Sequence, residues 1–338
     1  MNLELLYNTG KTGKHLSIVE AEMLFQQGEV SNQQLSDIAV KYFHKNFENA
    51  IKLFYPGLKF SAISLTDNFC QLKCDHCNLK YLEHMKRLSD YTSLFDFAKK
   101  MEEKGALGIL VSGGCDLEGA VPLDMFLDDL SRIKQETKLV VNVHTGLIKN
   151  SSIRELAKTG VDVVSFDVTG DDEVIRSVFH LNKSSKDYRN TFHALKKSGL
   201  NIVPHICLGL NKGVIGNEFK ALRILEEFNP TLIVIIIFTP TAGTPLQNIK
   251  PPSSSSIQRF LSILRLTFPE AELSLGCMRP RGLFKKEIEV AALRSGFNRI
   301  TSPSSAVKHY AAELNIKVEK FYGCCSLPGS LLSSFKIV

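Results

Sequence analysis

The sequence predicts an α/β protein: a (β/α)8 TIM-type barrel with an N-terminal helical extension and a short C-terminal extension. Two observations carry this. Short β-branched runs alternate strictly with amphipathic stretches of helical period, and parallel strands need such crossover helices. Eight strand–helix units occupy about 245 residues, which suits a closed barrel better than an open doubly wound sheet, the remaining alternative.

In chain order, residues 1–57 read as a helical extension. HLSIVEAEMLFQQ and LSDIAVKYFHKNFENAIKLF place apolar residues at helical spacing, and Pro56-Gly57 breaks the second run. Residues 58–303 hold the eight strands: FSAISLTD, LGILVSG, LVVNVHT, VDVVSFDVT, NIVPHICLG, LIVIIIFTP, AELSLGC and NRITS. The intervening helices include LFDFAKKMEEKG, SIRELAKTG and YRNTFHALKKSG, which end at glycines suited to a left-handed C-terminal cap. PPSSSS at 251–256 is a loop leading into a helix. Residues 304–338 add a helix, a strand IKVEKFY and the Cys324-Cys325 pair.

With 44% hydrophobic and 22% charged residues, the 338-residue chain can bury a core and is not a disordered or collagen-like polymer. Its longest apolar run, Leu232 to Phe238, falls short of the roughly 18–20 residues of a membrane span, so no membrane partner is expected. The first residues lack an apolar signal core and carry acids that a transit peptide avoids, and the expected location is cytoplasmic. The net charge of +6 is spread without a like-charge run, so nucleic acid is not implied. Eight cysteines in a long chain of this kind point to metal or catalysis before disulfides.

The chemistry-bearing signal follows the first barrel strand. CQLKCDHC sets Cys70, Cys74 and Cys77 in a C-x3-C-x2-C loop, and three thiolates so close can cap three irons of a [4Fe–4S] cube, leaving one iron open. Zinc is the competing reading, weakened because no second C-x2-C unit closes a four-ligand shell.

This loop after the first strand of a (β/α)8 pattern resembles the radical S-adenosylmethionine (SAM) superfamily, over about residues 15–303. The resemblance implies that the open iron chelates SAM and that an electron from the cube releases a 5′-deoxyadenosyl radical. It makes His76, where the family usually has an aromatic residue, the neighbour of the adenine. Ser112, Gly113 and Gly114 match the glycine turn that meets the SAM amino group, with Cys115 in place of the usual acid. Ser165 and Asp167 share one strand face and match a polar pair aimed at the ribose; capping the next helix is their other reading. Gly209 and Glu218 mark the small-residue run and acid after strand five, and FTPTAGTPL resembles the loop after strand six of biotin-synthase-like proteins.

Five further cysteines select among radical enzymes. Cys115, Cys277, Cys324 and Cys325 are the expected ligands of a second [4Fe–4S] cluster at the top of the barrel, with Cys207, on the face of His205 and Gly209, as substitute. Buried cysteines also serve as small hydrophobes. Adjacent cysteines do not easily both bind one cube, so Ser326 or an open position can complete the shell. SGGCDLEGAVPL and LGCMRPRG resemble the subgroup containing the two-protein lipoyl synthases. That resemblance implies insertion of sulfur from a sacrificial auxiliary cluster into an octanoyl chain on a lipoyl carrier protein. It also implies a second radical SAM protein and a ferredoxin or flavodoxin as reductant. Asp116, Arg279 and Arg281 are candidates for gating or gripping an anion, or else for surface salt bridges. Three alternatives stay open: a related mutase or cofactor maturase without sulfur insertion, a non-catalytic Fe–S scaffold, and a zinc hydrolase built around His144.

Overall fold

The structure, a computed structural model, describes residues 15–337. Eleven strands form one sheet among these residues: β1 Ala50–Tyr55, β2 Phe60–Ser64, β3 Lys86–Arg87, β4 Gly108–Ser112, β5 Val140–His144, β6 Val163–Asp167, β7 Ile202–Leu208, β8 Leu232–Ile237, β9 Glu272–Leu275, β10 Arg299–Thr301 and β11 Lys317–Tyr322. Their order is β11-β1-β10-β9-β8-β7-β6-β5-β4-β2-β3. The ladders are parallel throughout, as crossover helices require.

The eight expected strands are present, but the expected closure is not. β2 and β10, which would join in a closed eight-stranded barrel, do not pair; β1 takes the edge of β10 and carries β11 outside it. The sheet is therefore open and curled. Side chains bridge the gap: Phe60 meets Phe335, with ring centroids 6.1 Å apart, and the Lys59 ammonium lies over the Tyr322 ring. A 3-10 helix at Gly329–Phe335 supplies Leu332 and Phe335 to an apolar cluster with Phe54, Phe60, Val140, Phe321 and Leu327.

β1 corrects the helical reading of residues 35–54. The helix Asn32–Asn46 starts on a capping box, Ser31 with Gln34, and ends at Phe47. Ile51, Leu53 and Phe54 are then buried while pairing with strands on both sides. A strand buried on both faces reads as a continuous apolar run, which periodicity does not separate from a buried helix. The helices Ile18–Gln27 and Asn32–Asn46 pack on helix Ser254–Thr267. Among the described residues no helix is long and apolar enough to cross a membrane.

Candidate functional site

The C-terminal ends of the strands gather the chemistry, as parallel barrels do. The cysteine loop leaves β2 and is stitched to the turn after β4. Thr66 Oγ1 accepts a 2.7 Å bond from the Gly114 amide and donates to the Phe69 carbonyl. The Cys115 amide donates to Cys70 Sγ at 3.3 Å, and the Gln71 amide donates to the Cys115 carbonyl. Gly114 is required here. A Cβ on it would lie 2.0 Å from the Phe69 carbonyl oxygen and 2.5 Å from Cys70 Cβ.

The loop's far side is held by two other segments. The Asp75 amide donates to the Val178 carbonyl, and the Asp75 carboxylate meets His180 Nε2 at 2.8 Å. The FTPTAGTPL segment clasps the loop: the Leu246 amide donates to the Asp75 carbonyl, Asn78 Nδ2 to the Gly243 carbonyl, and Tyr81 and Thr241 hydroxyls meet. Lys73, Asn78 and Leu79 take positive φ, the strain of a chain wound tightly enough to aim its thiols together.

Burial and the neighbouring thiols push the Cys74 thiol well above its usual value, and burial raises Cys77. Cys115 is raised to about 12 by burial, then by Cys70 and the carboxylates of Asp116 and Asp167. His76 lies between Tyr81 and Phe179, with centroids 6.1 and 5.4 Å away. Burial lowers its pKa to about 4, so the ring is neutral, and its buried Nδ1 has no hydrogen-bond partner. Among the described residues no three His, Cys, Asp or Glu side chains close on one metal ion. A mononuclear zinc shell needs donors at about 2.0–2.3 Å from one atom, whereas a cube spreads its thiolates over separate irons.

Ser165 and Asp167 share a face but not a depth. Ser165 is buried and donates to Asn142 Oδ1 at 3.0 Å. Asp167 is exposed at the end of β6, close enough to act electrostatically on His76, Cys115, Tyr188, His205 and Cys207. Gly209 has φ +84°, gives its amide to the buried Glu218 carboxylate at 2.7 Å, and is covered by Pro252. Glu218 also accepts from the Gly216 amide, so this pair folds the loop after β7.

The four cysteines expected at one auxiliary centre divide. Cys115 sits with Cys70. Cys324 and Cys325 follow β11 and enter the lumen, where Cys325 packs among Val163, Val203, Leu232 and Val234, below the mouth instead of at its top. Their Sγ atoms are 3.8 Å apart. Cys277, after β9, acts electrostatically on both, and its amide donates a hydrogen bond to Cys325. Cys277 is exposed, and the protein around its thiol, then Cys324, raises it to about 11. Cys324 is lowered to about 6, first by the Cys325 thiol donating to it and then by Ser326; the Cys325 thiol is correspondingly held protonated. Ser326 Oγ is 3.3 Å from Cys324 Sγ and also accepts from Asn142 Nδ2 at 2.7 Å. Cys207 feels Asp167 and Glu218 and packs near Phe238 and Leu210, apart from this trio.

Two histidines flank the trio, their ring centroids 5.8 Å apart: His144 ends β5 and His205 lies on β7. His205 Nδ1 is 3.0 Å from the Val203 carbonyl oxygen and Nε2 is 4.0 Å from Cys325 Sγ. Arg279 is buried on Glu289 and the Thr301 carbonyl, and Asp116 caps the turn at Glu118 and Ala120. Arg279 is thus held by structural contacts, Asp116 also acts electrostatically on Cys115, and Arg281 is exposed. Sequence reasoning missed Thr66, Asn142 and Phe179. None belongs to a motif, and strand alternation alone could have placed Asn142 on the face of His144.

Residues 65–213 match the radical SAM superfamily. The chain is 26% identical over 284 residues to a 3-methylornithine synthase of Methanosarcina acetivorans, covering 83% of this chain and 77% of the relative. It is 23% identical over 309 residues to a biotin synthase of Campylobacter hominis, covering 88% and 89%. In fold it is similar to a crystal structure of methylornithine synthase, with a TM-score of 0.65 and 19% identity over 92% of this chain and 95% of the other. An FeFe-hydrogenase maturase from Carboxydothermus hydrogenoformans gives 0.64 and 18% over 90% and 72%.

Proposed function

From a chain that carries a radical SAM domain, with biotin and 3-methylornithine synthases among its homologues, we propose a radical SAM enzyme that inserts sulfur, one component of a two-protein lipoyl synthase. The observation that carries the reading is the second thiol group, Cys277, Cys324 and Cys325, in the lumen below the cysteine loop. Thiolates are the ligands that hold an iron–sulfur cluster, and three more of them outside the cysteine loop suit a second one.

The donor sets suit the groups proposed. Cys70, Cys74 and Cys77 would hold the [4Fe–4S] cluster that radical SAM enzymes use, and His76 beside them keeps a buried Nδ1 with no hydrogen-bond partner. When bound, the cluster and SAM supply an electron and a 5′-deoxyadenosyl radical that abstracts hydrogen from an unactivated carbon. The rest is the work of this chain. Ser112, Gly113 and Gly114 would bring backbone close to the amino-acid end of SAM. Asp167, an exposed acceptor, would serve the ribose, and the neutral His76 ring would offer an apolar face to the adenine. The curled sheet and its tail exclude water, which protects a radical from quenching on solvent. Cys277, Cys324 and Cys325 would hold the auxiliary cluster that supplies sulfide.

The octanoylated lipoyl carrier protein is the proposed substrate. A second radical SAM protein and a ferredoxin or flavodoxin are the proposed partners. The test incubates the reduced protein with SAM and an octanoylated carrier peptide, alone and with the second protein, and reads peptide mass. Gain of one sulfur supports the reading. Formation of 5′-deoxyadenosine with no sulfur gained under either condition overturns it. The methylornithine synthase relationship, over most of both chains, then favours a carbon-skeleton mutase.

A further inference from the structure

We infer that Cys324 and Cys325 form a redox modification site, a dithiol that closes reversibly into a disulfide between neighbouring residues by exchange with small disulfides. This couple goes beyond the auxiliary-cluster reading and does not rest on it. While oxidised, the pair offers no thiolate to iron. The disulfide is therefore the closed state of the lumen thiols, and a dithiol reductant opens it.

The two sulfurs are already in contact, with Sγ atoms 3.8 Å apart. Val163, Val203, Leu232 and Val234 pack around Cys325, and Cys324 lies against the same cluster. A disulfide carries neither a charge nor a hydrogen-bond donor, so it suits apolar walls that make an ionised sulfur costly. The backbone holds the two side chains together. The Leu327 amide donates to the Cys324 carbonyl at 3.3 Å, closing a turn with Cys325 and Ser326 at its centre. Gly323 enters that turn at φ +108°, where a Cβ would lie 2.4 Å from Leu327 Cδ1.

Adjacency makes the bond reversible. Disulfide-linked residues usually have Cα atoms about 4.4–6.8 Å apart, whereas consecutive Cα atoms across a trans peptide are about 3.8 Å apart. A bond between neighbours is thus strained, and strained disulfides are the labile ones.

Access is one-sided, because Cys324 is half-buried and Cys325 is buried. Exchange therefore begins at Cys324, whose sulfur is oriented by Ser326 Oγ at 3.3 Å and Asn142 Nδ2 at 3.8 Å. Cys324 gives up its proton and attacks one sulfur of the small disulfide, expelling a thiolate. Cys325 gives up its proton and attacks Cys324 Sγ, expelling the second thiolate. Two S–H bonds become one S–S bond, two electrons pass to the small disulfide, and it leaves as two protonated thiols.

The test equilibrates the metal-free full-length chain, its fold checked by circular dichroism, anaerobically with oxidised and reduced dithiothreitol at a series of ratios. Samples are quenched, alkylated with N-ethylmaleimide in guanidinium and digested, and the mass of the peptide carrying both residues is read. That peptide should pass from doubly alkylated to unalkylated and lighter by two hydrogens, with one midpoint, and return fully in excess reduced dithiothreitol. In Cys324→Ser, Cys325 should stay alkylated throughout. A chain unfolded in guanidinium is the reference, and the fold should lower the oxidised-to-reduced ratio at the midpoint about tenfold. A peptide doubly alkylated at every ratio, or a cross-link from Cys277 to either residue, overturns the assignment. Equal midpoints in folded and unfolded chain overturn it as well, since adjacency alone would then make the couple. The transition is read in the unsubstituted chain without iron, so it fails or succeeds separately from the auxiliary-cluster reading.

Discussion

The two thiol groups are built by opposite means. At the mouth, Cys70, Cys74 and Cys77 lie on one loop whose shape comes from backbone: amides that donate to the Thr66 hydroxyl and to the Val178 and Asp75 carbonyls, and a glycine whose replacement would press a Cβ onto the Phe69 carbonyl. In the lumen, Cys277, Cys324 and Cys325 come from two distant segments and are surrounded by side chains, Asn142, Ser326 and His205. Burial keeps the thiols of Cys74, Cys77 and Cys115 protonated, whereas hydrogen-bond donors hold Cys324 as a thiolate. A local loop specifies its centre by sequence spacing. The lumen group exists only once the tail has docked.

The sharpest way to break that comparison is to replace Cys70, Cys74 and Cys77 together by alanine. Formation of 5′-deoxyadenosine should fall to background by chromatography, with thermal unfolding near wild type; residual turnover would mean that the mouth is not the site of SAM cleavage. Next in size, Gly114→Ala drives a Cβ into the Phe69 carbonyl and Cys70. It should weaken cluster loading at the mouth about 10–100-fold, the scale for a support of metal ligands, while a lumen cluster stays loaded. Iron titration of the two sites separates these outcomes.

Phe335→Ala tests the tail. The ring is buried against Phe60 and the Phe54 cluster, and its loss should cost about 3–5 kcal/mol in urea unfolding. Lumen thiols should become more reactive in consequence, and mouth thiols should not. A smaller effect is expected from Asp167→Asn: KM for SAM should rise about tenfold, about 1.4 kcal/mol of a charge-assisted hydrogen bond, with kcat changed less.

The smallest effect reads the electrostatics directly. In metal-free protein, alkylation of Cys324 should have its midpoint near pH 6, while Cys115 stays unreactive until strongly alkaline pH. The Cys324 thiolate has a folded pKa below its unfolded value. Its contribution to stability is therefore full above about pH 9 and is lost as pH falls through about 6. Ser326→Ala should move the labelling curve upward; an unmoved curve would remove Ser326 as a source of the depression.

Much of this was legible in the chain. The C-x3-C-x2-C loop, the glycine turn and the eight core strands announce themselves by spacing, turn chemistry and alternation, which are local signals. The misreadings share one cause, long-range pairing. Residues 50–55 carry no period that separates a strand from a helix, and only their neighbours β10 and β11 decide it. Cys115 follows a glycine turn in sequence, so nothing local shows that its amide serves Cys70. The position of Cys324 and Cys325 depends on a tail that packs back against the sheet, a path set by Phe335, Leu332 and Leu327 finding Phe54 and Phe60.

The docked tail also imposes an order on biosynthesis. Residues 324–335 are translated after every strand of the sheet, and at about 5–20 residues per second they follow β2 to the ribosome exit by many seconds. Throughout that interval the nascent sheet has its cysteine loop but neither its seam filler nor two of its lumen thiols. The mouth is thus complete before the lumen, whose thiols come together only once Cys324 and Cys325 have emerged.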